Sequence, residues 1–299
     1  MVKPYSAVFY LLVLGALPLS LSEAGNIYRY QDAQGNWHFT DRKPDNTVVE
    51  KLDYRHQPNN QEPRLDVRQI NGDWALIAIN PYAGPVELAV LLDSSSNTIH
   101  RQVLAADSEI VIHRPLAHGR VQFEYQYIAG DPTAQPDGSV YRLPVAANSL
   151  YHISQGFNGH FSHNREPNRY AIDIELPVGT EILAAREGVV MTVIDDYVMD
   201  GTDDYFADKA NMILVLHEDG TIGVYAHLLH GGARVSVGDR VETGQLLGLS
   251  GSTGFSTGPH LHFVVWRNAG MQYQSVPIQF VDHNNRPWQP RQGKSLAAE

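Results

Sequence analysis

Cysteine is absent from the 299 residues. That excludes disulfides, thiol catalysis, thiolate zinc sites and a lipidated N-terminal cysteine. Positive charge is scarce as well: 22 Lys and Arg stand against 33 Asp and Glu, a net charge of -11. A non-specific nucleic-acid binder is normally basic, so no nucleic-acid partner is expected. Helical periodicity is nearly missing, and past the first two dozen residues no stretch resembles a transmembrane helix. Disorder is excluded in turn, because 43% of the residues are hydrophobic. In a chain of this length that suffices for one large domain and one or two small ones.

The first residues carry Lys3, an apolar run from Ala7 to Leu19, and small residues at Ser22 and Ala24 ahead of a cleavage point. They read as a signal peptide over 1–24, removed after Ala24, and hence as export without stable membrane insertion. Gly15, Pro18 and the shortness of the run argue against an uncleaved anchor. Lys3 and Glu23 leave together, so the net charge is unchanged. From Ile27 to Thr40, aromatic residues alternate with polar ones on either side of the turn-forming Asp32 to Gly35, which predicts a β-hairpin and a small domain over 25–52. A lone hairpin is marginal in water, so it is expected to pack on a neighbour. The pattern IYRYQDAQGNWHFTDRKP resembles a small domain of uncharacterised role near the N-terminus of many secreted proteins of Gram-negative bacteria.

A polar, proline-bearing linker is expected over 53–64. Short β-rich runs follow at Leu65 to Ile70, Asp73 to Ile79, Val86 to Leu92, Glu109 to His113 and Arg120 to Ile128. Their spacing and punctuation predict a small antiparallel sandwich over 65–147 with a packing and spacer role, since it carries no chemical motif. From about Ser149 glycines and histidines accumulate, with strands suggested at Glu181 to Ala184, Gly188 to Ile194, Met212 to His217 and Thr221 to His227. The whole is all-β, with a larger domain over 148–285 and a polar, flexible tail over 286–299.

Chemistry concentrates in this larger domain. In Gly258-Pro259-His260-Leu261-His262-Phe263 two imidazoles lie two residues apart, so on a strand they project from one face while Leu261, Phe263 and Val265 face a core. Alone, such a pair is usually structural. His227 ends another suggested strand, and Asp173 precedes Pro177, Gly179 and Thr180; a carboxylate oxygen can join imidazole nitrogens on zinc.

Together these residues resemble the lysostaphin/LytM-type zinc metallopeptidases. The aspartate, Pro-x-Gly-Thr turn, alanine and Gly-x-Val of that family match Asp173, Pro177, Gly179, Thr180, Ala184, Gly188 and Val190. Asn211, His217, Asp219-Gly220-Thr221, Tyr225, His227 and Leu228 continue the pattern, as do Gly238, Val241, Gly244, Gly248, Gly251, Thr253, Gly254, His260 and His262. The likeness runs from about Gly156 to Val281, and it departs at one place: Arg169 and Ala171 stand where the family has a histidine and a glycine. Arginine does not deprotonate to bind zinc. Gly159-His160-Phe161-Ser162-His163 offers a replacement, and relatives with a Ser-His pair followed by a longer loop favour His163, with His160 as the alternative.

The resemblance implies an antiparallel LytM-type fold and a zinc ion on His163, Asp173 and His262, with one position left for water. It also implies His227 and His260 as catalytic residues that orient or deprotonate that water, and peptidoglycan peptides as substrate. The product would be an exported endopeptidase of the periplasm or cell envelope. The alternative is a non-catalytic LytM-like regulator that binds the wall or activates a separate amidase. The sequence leaves open the oligomeric state, the linkage cut and the division of roles between His227 and His260. The aspartates from Asp195 to Asp208 lack the spacing of an EF-hand and read as a solvated loop beside the groove. Ser252 and Ser256 have neither P-loop nor nucleophile-elbow context. The segment Val237 to Leu246 resembles hairpins of biotinyl and lipoyl carriers but has no lysine at its tip.

Overall fold

The computed structural model describes residues 26–31, 37–40, 48–53, 62–92, 99–113, 121–146, 149–282, 284, 286–289, 291–293 and 295–298. The expected signal peptide, the turn at Asp32 to Gly35, and most of the 53–64 linker lie outside these residues. Among the described residues the regular elements are strands apart from a 3-10 turn at Asp204–Phe206. No helix there is long and apolar enough to cross a membrane.

Near the N-terminus the expected hairpin carries a third strand. Asn26–Gln31 lies between Trp37–Thr40 and Glu50–Asp53, antiparallel to both. A two-stranded ribbon leaves both edges of its ladder open, and Glu50–Asp53 closes one of them. The middle region holds two three-stranded antiparallel sheets. One of its sheets pairs Arg64–Ile70, Asp73–Asn80 and Ser108–His113; the other pairs Ile99–Leu104, Val86–Leu92 and Phe123–Ala129. The first hairpin turns at Asn71 and Gly72, whose φ angles of 55° and 91° give the mirror-image turn that matches strand twist. Ala78, Leu88, Val90 and Leu104 form the buried core between the sheets. Ile99–Leu104 was not foreseen, because His100, Arg101 and Gln102 interrupt its alternation.

The C-terminal unit is built on an antiparallel sheet. Its order runs Arg240–Val241, Gly188–Ile194, Met212–Leu216, Ile222–Ala226, His260–Asn268, Ile172–Glu175, Ser149–Gln155 and Ser295–Ala298, with Tyr273–Ser275 also on His260–Asn268. Side-chain alternation divides it into two faces. Ile172, Ile174, Ile213, Val215, Tyr225, Leu261, Phe263 and Val265 enter one core. On the opposite face Leu214, Ile222, Val224, Ala226, Val264 and Trp266 join a second cluster that includes Tyr82, Val86 and Ala129 of the sandwich. The stretch after Arg286 corrects the expectation of a loose tail: Pro287–Trp288 pairs with Gln279–Val281, and Ser295–Ala298 pairs with Ser149–Gln155. An open sheet edge presents a row of unpaired donors and acceptors, and the tail's polarity says nothing about its capacity to fill them.

Candidate metal centre

Register alone brings two of the candidate ligands together. Ile172–Glu175 and His260–Asn268 are antiparallel neighbours in which Asp173 faces His262. Residues directly opposite hold their Cβ atoms about 5 Å apart. Since Ile172, Ile174, Leu261 and Phe263 point into the first core, Asp173, His260 and His262 point the other way. His262 Nδ1 stands 2.8 Å from Asp173 Oδ1.

His163 comes from the loop between Ser149–Gln155 and Ile172–Glu175. That loop is pinned at several points. Trp266 Nε1 donates to Pro167 O at 2.8 Å, Glu166 Oε2 accepts from the Ser275 amide and hydroxyl at 2.7 Å each, and Asn158 N donates to Arg169 O at 2.7 Å. His163 is fully buried, and its Nε2 lies 3.2 Å from Asp173 Oδ1. His160, the alternative, is exposed. Among the described residues His163, Asp173 and His262 are the group whose ligand atoms all lie within 4.8 Å of one another.

The hydrogen bonds show what these donors fit. His163 Nδ1 lies 3.1 Å from Gly156 O, so that nitrogen carries the proton and Nε2 presents a lone pair. Nε2 faces the Asp173 oxygen without an aligned hydrogen bond, a buried nitrogen otherwise lacking a partner. Two acceptors turned toward each other in a buried place suit a cation. The separations also suit it: tetrahedral zinc at about 2.0–2.1 Å from N and O donors sets neighbouring donors about 3.3 Å apart. Burial by itself would raise the Asp173 carboxyl, but its contact with the His262 imidazole holds it well below the usual carboxylate range.

Beside this group stand His227 and His260, with ring centroids 4.5 Å apart. His227 Nδ1 lies 2.7 Å from Thr253 O and His260 Nδ1 lies 2.8 Å from Gly258 O. Each ring therefore gives its Nδ1 proton to the backbone, leaving Nε2 as an acceptor. His260 Nε2 is 3.9 Å from Asp173 Oδ1. Burial, then the neighbouring His260 and His262, push the His227 imidazole well below its ordinary pKa, so it is neutral near pH 7. The structure thus gathers His163, Asp173, His227, His260 and His262 in one place.

Other residues take places around these rings, of which Gln155 is one that the sequence did not signal. Thr253 and Gly258 fix two imidazoles through backbone carbonyls, which any residue type supplies. Ser256 Oγ donates to Gly258 O at 2.8 Å and lies 3.4 Å from His260 Nδ1, on the side of the ring away from Nε2, so it braces the turn. Gln155 touches Asp173 directly. The aspartate-rich loop is anchored beside the site, for Asp200–Gly201 pairs in parallel with Gly254–Phe255.

Residues 167–275 match the family model for Peptidase family M23, and residues 13–64 match a Domain of unknown function (DUF4124). An uncharacterized metalloprotease of Buchnera aphidicola is 34% identical over 120 residues, 39% of this chain and 28% of that protein. The peptidoglycan DD-endopeptidase ShyA of Vibrio cholerae is 33% identical over 125 residues, 41% of this chain and 26% of that protein. The chain thus spans little more than a quarter of the length of either relative. The catalytic domain of lysostaphin from Staphylococcus simulans aligns at 28% identity over 43% of this chain and 88% of that one, with a TM-score of 0.31.

Proposed function

We propose that this protein is an exported zinc endopeptidase of the lysostaphin/LytM type that hydrolyses peptide bonds in peptidoglycan, on the premise that residues 167–275 match Peptidase family M23. Its place would be the periplasm or cell envelope of a Gram-negative bacterium. The observation that carries the reading is the buried convergence of His163, Asp173 and His262 beside His227 and His260. The Vibrio relative's name as a peptidoglycan endopeptidase supports the substrate class.

In this reading His163, Asp173 and His262 hold the ion. Zinc in such a site supplies Lewis acidity toward a carbonyl and toward water. Three protein donors leave a fourth position open, as hydrolysis requires. The Nε2 atoms of His227 and His260 are the proton-handling pair: neutral His227 accepts, and the protonated form of either ring donates to the departing amine. Asp173, as a carboxylate, would offset part of the ion's charge.

The purified full chain should contain about one zinc and release peptides from isolated sacculi, with mass spectrometry of the products naming the bond. His262→Ala should lose both properties. Peptide release by that variant would sink the reading, and zinc-free protein that still stimulates an amidase would favour the regulator. Export is checked separately: periplasmic protein should begin at Gly25, and an unprocessed cytoplasmic chain would refute it.

A further inference from the structure

Gln155 ends the strand Ser149–Gln155, where the pairing with Ile172–Glu175 shifts register between Ile153 and Gln155 and sets Gln155 opposite Asp173. The residue is 5% exposed, and each hydrogen-bonding position of its amide is used. Nε2 donates to Asp173 Oδ2 at 2.9 Å and to Ser162 Oγ at 2.7 Å. Oε1 accepts from the backbone N–H groups of Phe161 and Ser162, both at 3.0 Å. The two backbone groups can only donate, which fixes the amide's orientation: a flipped amide would set its NH2 against two N–H groups.

One side chain therefore bridges the two parts of the centre that come from different elements. It holds the Asp173 oxygen remote from the imidazoles, leaving Oδ1 to His262 and His163. It also clamps the chain immediately before His163. Gly159 makes that clamp possible, because a Cβ there would fall 2.3 Å from Gln155 Cγ and 2.9 Å from its Cδ and Oε1.

We propose that Gln155 is a positioning residue of the metal centre, one that sets the carboxylate of Asp173 and the approach of His163 at once. The proposal rests on the metal reading of His163, Asp173 and His262. Partners that hold a ligating carboxylate govern affinity because the ion gains from donors already in place; their loss typically costs about 10–100-fold in metal binding. A residue that merely packed the loop would not care which atom faces Asp173. Gln155→Glu separates the two roles: one carboxylate oxygen still accepts from Phe161 and Ser162, while the other replaces the donor to Asp173 with an acceptor.

The test uses the full chain, with zinc affinity measured by chelator competition, the visible spectrum of the Co2+-loaded protein, and the melting temperature of the metal-stripped protein. Gln155→Glu is expected to bind zinc about 10–100-fold more weakly and to shift the Co2+ bands. If it fails to fold, Gly159→Ala displaces the same amide without altering a polar group and should show the same two changes. A folded Gln155→Glu protein, or failing that a folded Gly159→Ala protein, with wild-type zinc affinity and wild-type Co2+ bands overturns the proposal. A wild-type chain that binds neither ion, or an Asp173→Ala chain that binds zinc normally, overturns the metal reading instead.

Discussion

His227 adopts φ 64°, a left-handed backbone uncommon outside glycine and taken mostly by asparagine, aspartate and histidine among the rest. That conformation ends its strand and turns the ring across to Thr253 O and toward His260 and His262. His227→Asn keeps a residue that tolerates the backbone while removing the imidazole. It is expected to lower kcat on sacculi by about 10²–10⁴-fold with zinc content unchanged, and an unaltered rate would remove His227 from the chemistry. Away from the site, His217 is 2% exposed, gives its Nδ1 proton to Glu187 O at 2.7 Å and leaves Nε2 without a partner. Burial pushes it down from 6.5 to about 4. The unfolded chain therefore takes up a proton that the folded chain refuses as pH falls from 6.5 to 4. Stability should drop by about 3 kcal/mol across that window, with no further loss from this group below it. His217→Phe should flatten that part of a denaturation profile; an unchanged profile would absolve His217. At this scale the His-x-His pair was legible because strand alternation is a local rule. Gln155 was not, since an amide means nothing until the fold sets it against a carboxylate.

The loop between Ser149–Gln155 and Ile172–Glu175 has an element's worth of work to do. It carries His163 inward and Phe161 outward, and Phe161, 70% exposed, stacks on Phe255 at 6.5 Å between ring centroids. The exposed Phe161, lying on the half-buried Phe255, offers apolar area to a substrate and little to the core. Phe161→Ser is thus expected to raise KM for sacculi several-fold and leave the melting temperature within about 2 °C, given the small stability effects of surface changes. A lowered melting temperature with unchanged KM would make Phe161 a packing residue. Strands rich in alternating or continuous apolar residues, such as Gly188–Ile194 and Met212–Leu216, were foreseen nearly to the residue. Ser149–Gln155 and Ser295–Ala298 were not, because their pairing depends on a sheet edge far away in sequence. The register that opposes Asp173 to His262 is equally non-local: sequence named both residues, and only the sheet explains why they meet.

Over the whole molecule, the sandwich is fastened to the C-terminal unit by buried polar contacts as well as apolar ones. Glu87, 6% exposed, accepts at Oε2 from Asn268 Nδ2 at 2.9 Å and from Met271 N at 2.7 Å, while Tyr273 Oη accepts from Ala129 N at 2.9 Å. Removing the Glu87 carboxylate strands those donors. Glu87→Ala should destabilise the protein by about 1–3 kcal/mol and speed proteolysis between the two regions, whereas wild-type resistance would show that the apolar contact suffices. Composition and turn spacing revealed a sandwich but gave no hint of where it docks, since Tyr82, Val86 and Ala129 look like ordinary core residues until their partners are known. Their cluster takes in Val264, two residues, or about 7 Å of strand, past His262 on the same side of the sheet. The strand that begins with reactive imidazoles is thus grouted to a neighbour almost at once. If the proposed function holds, a polymeric substrate would find that side of the sheet already covered by the sandwich. The sandwich thereby sets a boundary on one side of the clustered imidazoles.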